Sequence, residues 1–420
     1  MNDGSAVAAV AQQTPSVKGA LASLSLAMLL SSLGTSIANV GLPSLAQAFS
    51  ASFQQVQWVV IAYLLAITAS IVSVGRLGDL VGRRRLLLSG IALFTLASAL
   101  CGLAPNLGLL IAARALQGLG AAVMMALTLA FVGDTVAKGK TGSAMGLLGT
   151  LSAMGTAMGP ALGGVLIDGF GWRWIFFISV PLGLLTWLLA QRYLPEDRQG
   201  QTRRAGVDSL GTLLLALLRD GRLSGCLAMS LLVTTVMMTT LLVGPFYLSQ
   251  TLRLTAMETG LVLAVGPLVA MLAGVPAGRI VDRWGAPAMT LAGLLGMALG
   301  CCLLSLVPET FGVGGYIAPM VVITLGYALF QTANNTAVML DVLPDQRGVV
   351  SGLLNLSRNL GLVTGASAMG SVFALASKAV DIGTAQPQAI ASGMRTTYLV
   401  ALGLIVVAYL VAWRRQADPR

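Results

Sequence analysis

Gly75-Arg76-Leu77-Gly78-Asp79-Leu80-Val81-Gly82-Arg83-Arg84-Arg85 separates two long apolar runs, and a shorter copy, Gly278-Arg279-Ile280-Val281-Asp282-Arg283-Trp284-Gly285, follows at an offset of 278 − 75 = 203 residues. A second match lies further along each copy. Gly146-Leu147-Leu148, Gly155, Gly159 and Gly164 recur as Gly352-Leu353-Leu354, Gly361, Gly365 and Gly370, an offset of 352 − 146 = 206. Two independent matches at nearly one offset indicate a duplicated chain. Duplicated halves that rock about a midplane site are a signature of secondary transporters.

Composition places both copies in a membrane. Of the 420 residues 56% are hydrophobic and only 10% charged, where a soluble domain carries about 25% charge. No soluble core hides that much apolar surface. The 50 glycines suit membrane helices, whose backbones approach closely through small residues. A net charge of +10 could point to nucleic acid, but the basic residues sit at the ends of apolar runs and form no patch. No partner of that kind is expected. The chain has no His, and Cys101, Cys226, Cys301 and Cys302 show neither metal spacing nor a disulfide framework. Neither a metal nor another cofactor is expected.

A bilayer core needs about 20 apolar residues per helix. Runs of that kind predict twelve helices near 20–42, 55–75, 86–104, 107–132, 143–167, 173–193, 225–248, 257–278, 287–306, 313–339, 349–376 and 396–413. The first is read as an uncleaved anchor, because no small-residue cleavage site follows it. With the N-terminus on the cytoplasmic side, twenty Lys and Arg fall in cytoplasmic segments. Only Arg173, Arg253, Lys378 and Arg395 fall outside, and Arg114 falls within a span. That asymmetry puts both termini in the cytoplasm and requires an even number of helices. The longest polar interruption, 194–224, is too short in apolar residues to span. It divides the chain into a bundle over 1–193, a cytoplasmic linker over 194–224 with room for an interfacial helix, and a bundle over 225–420.

With these motifs the chain resembles the major facilitator superfamily over essentially its whole length. The resemblance implies an all-α membrane protein of two pseudo-symmetric six-helix bundles, working as a monomer in the bacterial inner membrane. Gly75 to Arg85 is similar to the family's most specific motif, so Gly75, Asp79, Gly82 and Arg83 are expected at a conformational gate. Asp79 at a helix end can accept hydrogen bonds from a facing helix N-terminus and pair with Arg83. A contact made in only one of two states biases their balance. Arg84 and Arg85 read equally well as plain topology signals.

Leu110-Ile111-Ala112-Ala113-Arg114-Ala115-Leu116-Gln117-Gly118-Leu119-Gly120 matches the family's helix-4 motif. A charge inside a span is costly and usually functional. Arg114 is therefore expected in coupling, with Gln117 on the same helical face; the alternative is an arginine that snorkels to the interface. Gly155-Thr156-Ala157-Met158-Gly159-Pro160-Ala161-Leu162-Gly163-Gly164 resembles the motif of antiporter, or efflux, members. Glycines four apart make a flat packing face and Pro160 permits a bend; close packing alone is the plainer reading.

Gln57-Trp58-Val59-Val60-Ile61-Ala62-Tyr63 and Trp172-Arg173-Trp174-Ile175-Phe176-Phe177-Ile178-Ser179-Val180-Pro181 resemble the drug:proton antiporter branch that usually has fourteen helices. The tryptophans also suit interfacial anchors. Two departures from the branch stand out. The central helix pair is missing, and Gly34 occupies the helix-1 position where the branch carries an acid. A proton-coupled exporter needs a group that changes protonation as the cavity changes sides, and a buried carboxylate does so well. No carboxylate lies at the middle of a predicted span. Asp341, about two turns beyond Asn334, is a candidate carrier, or else a solvated acid at a helix end.

Polarity at depth selects cavity residues. Gln331, Asn334 and Asn335 share a helical face, and Asn39, Tyr63, Gln117 and Phe246 join Gln331 and Asn334 as candidate substrate contacts. Any one of them could instead bridge helices. The leading expectation is a secondary transporter that exports small amphipathic or drug-like molecules by alternating access in exchange for protons. Export of a polar or anionic metabolite held by Arg114 is the alternative. A membrane enzyme is disfavoured, because the sequence offers no His and no nucleophile–base pair.

Overall fold

The computed structural model of the protein describes residues 17–135, 141–196, 221–340, 347–377 and 385–417. Most of the 194–224 segment, and Asp341, lie outside them. The described chain is helical, with no strand among its residues. In order it forms α1 (Val17–Val40), α2 (Leu42–Ala48), α3 (Phe53–Val56), α4 (Trp58–Val81), α5 (Arg83–Leu103), α6 (Leu107–Thr135), α7 (Thr141–Phe170), α8 (Trp174–Phe177) and α9 (Ser179–Tyr193). Beyond the central segment come α10 (Gly221–Phe246), α11 (Ala256–Trp284), α12 (Ala286–Leu306), α13 (Gly312–Leu340), α14 (Arg347–Thr364), α15 (Gly370–Ala376) and α16 (Pro387–Ala417). Wider π-helical turns, Tyr247–Thr251 and Gly365–Met369, continue α10 and join α14 to α15.

Eleven helical stretches among the described residues are long and apolar enough to cross a membrane. The 30-residue α7 is a twelfth helix of that length. The last helix starts nine residues earlier than its apolar run, at Pro387 rather than 396. Arg395, expected in a loop, therefore lies inside α16, where its Nη2 donates to the Val307 carbonyl at 3.4 Å. One satisfied carbonyl at a helix end offsets part of the cost of a cation there.

The first and last six long helices pack by one plan. α1 lies on α7 and α9, α4 and α5 on α6, and α5 on α9; correspondingly α10 lies on α14 and α16, α11 and α12 on α13, and α12 on α16. Glycines at the offsets read from sequence make these crossings. A Cβ on Gly120 would strike the backbone of Gly90 and Phe94, and one on Gly326 the backbone of Gly293 and Met297. Gly155 presses on the Leu29 carbonyl of α1, as Gly361 does on the Leu231 carbonyl of α10. The opening motif repeats for a backbone reason as well. Gly82 and Gly285 end α4 and α11 at φ 104° and 84°, a region that side-chain-bearing residues avoid.

The start of α1 lies by the end of α9, and the end of α16 by the start of α10, which marks this side of each set as its terminal face. Gly19 of α1 abuts Tyr193 at the end of α9, and Arg415 near the end of α16 donates to Cys226 Sγ at the start of α10, at 2.8 Å. On the opposite, far face the two sets meet along α7–α11 and where α3 reaches α15. There Ser36–Pro43 and Leu242–Leu248 are buried without a break, whereas nearer the terminal face Ala22, Leu26 and Leu29, and Ala228, Leu231 and Leu232, are at least partly open.

Candidate functional site

Two places bring together residues of functional interest: a polar knot inside the first six helices, and the far-face seams between the sets.

The knot is centred on Arg114 of α6, which is 0% exposed. Full burial excludes snorkelling to the interface. Its Nε donates to the Val59 carbonyl of α4 at 3.0 Å, and Nη1 to the Gly34 carbonyl of α1 at 3.1 Å. Nη1 also donates to Gln117 Oε1, one helical turn on, and Gln117 Nε2 donates to Ser98 Oγ of α5 at 2.7 Å. The guanidinium lies 4.0 Å from the Tyr63 ring centroid, and the Tyr63 hydroxyl donates to the Ser31 carbonyl at 2.9 Å. One cation thus ties α1, α4, α5 and α6.

Arginine keeps its charge in a protein, and among the described residues no carboxylate pairs with this one. Carbonyl dipoles and an aromatic face take that place. Position 34 explains why. A Cβ there would approach the Tyr63 hydroxyl at 3.0 Å and the Phe94 ring at 3.2 Å. Glycine leaves its carbonyl free for Arg114, and the acid typical of the fourteen-helix branch has no room without a shift of those rings. Two N–H groups on Nη2 keep no protein partner.

The first seam joins α7 to α11. The glycines of α7 divide their work. Gly155, Gly159 and Gly163 face α1, where Cβ atoms would strike the Leu29 carbonyl, Ser36 and Val40, while Gly164 faces the Ala256 carbonyl. Gly260 of α11 in turn faces the Pro160 carbonyl, so both helices show bare backbone at the crossing. The start of α11 is closed by a capping box. Thr255 Oγ1 accepts from Glu258 N at 3.2 Å and Glu258 Oε2 from Thr255 N at 2.9 Å. Asp168 Oδ2, from the other set, accepts from Met257 N at 2.8 Å. The second seam is aromatic. Phe53 meets Phe246 edge-on at 4.9 Å and Phe373 at 5.4 Å, and Gly370 abuts Gln57 and Phe53.

The other expected contacts are dispersed. Phe246 lies in this second seam. Asn334 is buried and its Nδ2 donates to the Cys226 carbonyl of α10 at 3.4 Å, while Gln331 and Asn335 bond each other at 3.2 Å on a half-buried face. Asn39 is buried and donates to the Thr35 carbonyl of its own helix at 3.3 Å. Gly75 and Asp79 stand on the last turns of α4, but their surroundings, like Asp341, lie outside the described part. Arg83 opens α5. The capping boxes Ser52–Gln55 and Thr255–Glu258, again 203 apart, went unread in the sequence although Ser/Thr-x-x-Gln/Glu signals them.

A bundle of membrane helices in two sets with matching crossings is a transporter architecture, and comparison with known proteins supplies the family. The profile of the Major Facilitator Superfamily matches residues 24–366. The chain belongs to the major facilitator superfamily. It is 30% identical over 397 residues to the riboflavin transporter RibZ of Clostridioides difficile, covering 82% of this chain and 86% of that one. It is 29% identical over 404 residues to the multidrug efflux pump LfrA of Mycolicibacterium smegmatis, covering 84% and 80%. Among solved structures, a bacterial homologue of the human lysosomal transporter Spinster, in an inward-facing unoccupied conformation, superposes with a TM-score of 0.80 at 17% identity over 95% of this chain and 96% of that one. The protein is thus a multi-pass membrane transporter and not an enzyme.

Proposed function

We propose that this transporter exports small amphipathic, drug-like molecules across the bacterial inner membrane by alternating access, in exchange for protons, with both termini cytoplasmic and as a monomer. The observation that carries this reading is the first seam. The Gly-Pro…Gly-Gly register typical of efflux members lies on α7, where its last glycine meets bare backbone of α11 in the other set. A crossing of backbone on backbone, with no side chains interlocked there, can part and re-form with little rearrangement. The likeness to LfrA supports a drug-like substrate. By analogy with the Spinster homologue, the far face is periplasmic and closed, with the gate residues Gly155, Gly159, Pro160, Gly163 and Gly164 behind it.

Proton exchange rests on the family resemblance, with Asp79 and Asp341 as candidate carriers. Arg114 has no acid beside it to share a proton, so the coupling group lies elsewhere than the helix-1 position. The second reading, export of a polar or anionic metabolite, draws on the unpartnered Nη2 of Arg114 and on the likeness to a riboflavin transporter. Everted membrane vesicles with an imposed pH gradient, given a panel of dyes, drugs, flavins and organic anions, separate the readings. Gradient-driven uptake of neutral or cationic amphiphiles is expected. Uptake indifferent to the gradient for every compound contradicts exchange. Uptake of anions alone, lost in Arg114→Lys, establishes the second reading.

A further inference from the structure

The two far-face seams are related by the chain's internal repeat, yet among the described residues only the first carries a carboxylate. Asp168, at the last turn of α7, is exposed and reaches across to the first turn of α11 in the other set. The peptide N–H groups of a helix's first turn lack intrahelical acceptors and carry the positive end of its dipole. On α11 three donors are taken. Thr255 accepts from Glu258 N, Glu258 accepts from Thr255 N, and Asp168 accepts from Met257 N. The first two bonds are local to α11 and survive any movement of the sets. The third crosses between them, so parting of the sets at this seam breaks it. The equivalent of Asp168 at the second seam, 168 + 206 = 374, is Ala374. It offers no acceptor to the start of the α3–α4 stretch, although Ser52 and Gln55 cap that start in the same way.

We infer that Asp168 is a positioning residue of the transport cycle, a latch that holds the far face closed by docking its carboxylate on the start of α11. This rests on the alternating-access reading. The bond is charge-assisted but solvent-exposed, so its effect on the balance between closed and open far face is modest, about two- to tenfold. It sits directly beyond the bare contact of Gly164 with Ala256 and Gly260 with Pro160. The latch therefore pins the seam next to a crossing where backbone meets backbone. On opening, Met257 N exchanges Asp168 for water.

The test uses the full chain in lipid nanodiscs, with the native cysteines replaced and spin labels at Pro105 and Phe311. These exposed residues lie in the α5–α6 and α12–α13 connections, one on each set and away from the seam. Double electron–electron resonance then reads the far-face distance in the parent and in Asp168→Ala and Asp168→Asn, each at two pH values. The expected result is two distances in the parent, with the longer one enriched about two- to tenfold in Asp168→Ala and less so in Asp168→Asn, whose amide oxygen still accepts. Two distances in the parent with the same ratio in both variants overturns the latch and leaves alternating access standing. One short distance in every protein and condition overturns both.

Discussion

The first and the last six helices are built on one frame and filled differently. At the crossing of α4 with α6 the first set holds Tyr63 and Arg114; at the same offsets the last set holds 63 + 203 = Gly266 and 114 + 206 = Met320, whose methyl group would touch a Cβ on Gly266 at 3.1 Å. A cation wired to three backbone or side-chain acceptors in one set is a thioether against a glycine in the other. The seams diverge too, bare backbone and a carboxylate in one, three phenylalanines in the other. What repeats is where backbones touch; what differs is the chemistry in the spaces between. Frame contacts are fixed by helix geometry, whereas a side chain in the gap is free to specialise.

Making the first set resemble the second at the knot should have the largest effect. Arg114→Met removes the cation's bonds to the Gly34 and Val59 carbonyls and leaves Gln117 Oε1 without its donor, and is expected to cost roughly 3 kcal/mol or more of stability, read as a fall in thermal unfolding temperature in detergent. Met320→Leu, a volume-conserving change at the equivalent place, is expected to cost about 1 kcal/mol or less. Equal effects would mean that the knot is not the specialised feature it is taken for.

Glycine substitutions probe the seams. At Gly164 and Gly260 an added Cβ meets backbone carbonyls, while at Gly370 it meets the Gln57 and Phe53 side chains, which can move. Gly164→Ala and Gly260→Ala should each destabilise the closed far face by about 1–3 kcal/mol, and Gly370→Ala by much less. The label pair at Pro105 and Phe311 reports the difference as open-state population. Phe53→Leu removes two edge-on ring contacts and is expected to loosen the second seam by about 1–2 kcal/mol, read on the same pair. Smallest is the exchange of caps. Glu258→Gln gives α11 the uncharged cap of its counterpart and should cost about 0.3–1 kcal/mol, with Gln55→Glu gaining a similar amount; amide hydrogen exchange in the first turns measures both.

Much of the frame is legible in the sequence. The offsets 203 and 206 return as paired crossings, and Gly82 and Gly285 recur because both end a helix at positive φ. The fill was less legible, because a helical face says which residues stand together and not what stands opposite. The four glycines from Gly155 to Gly164 read as one surface, yet Gly164 alone among them turns to the other set. Gln331 and Asn334 share a stripe but part, one to Asn335 and the other to Cys226. Tyr63 and Phe246 are polar or aromatic at depth, as a substrate contact would be, and both are committed to protein partners. Asp168 gives no signal in the sequence beyond its place just after a predicted helix, since its partner is a backbone N–H 89 residues away.

The measurement that bears most directly on exchange between two faces is a reversible lock on the second seam. Cysteines in place of Phe53 and Phe373, whose rings lie 5.4 Å apart, can be joined by a short reducible bifunctional reagent in everted vesicles. Substrate uptake should stop on cross-linking and return on reduction, with the single-cysteine proteins unaffected. Uptake that continues through the locked protein would contradict the account.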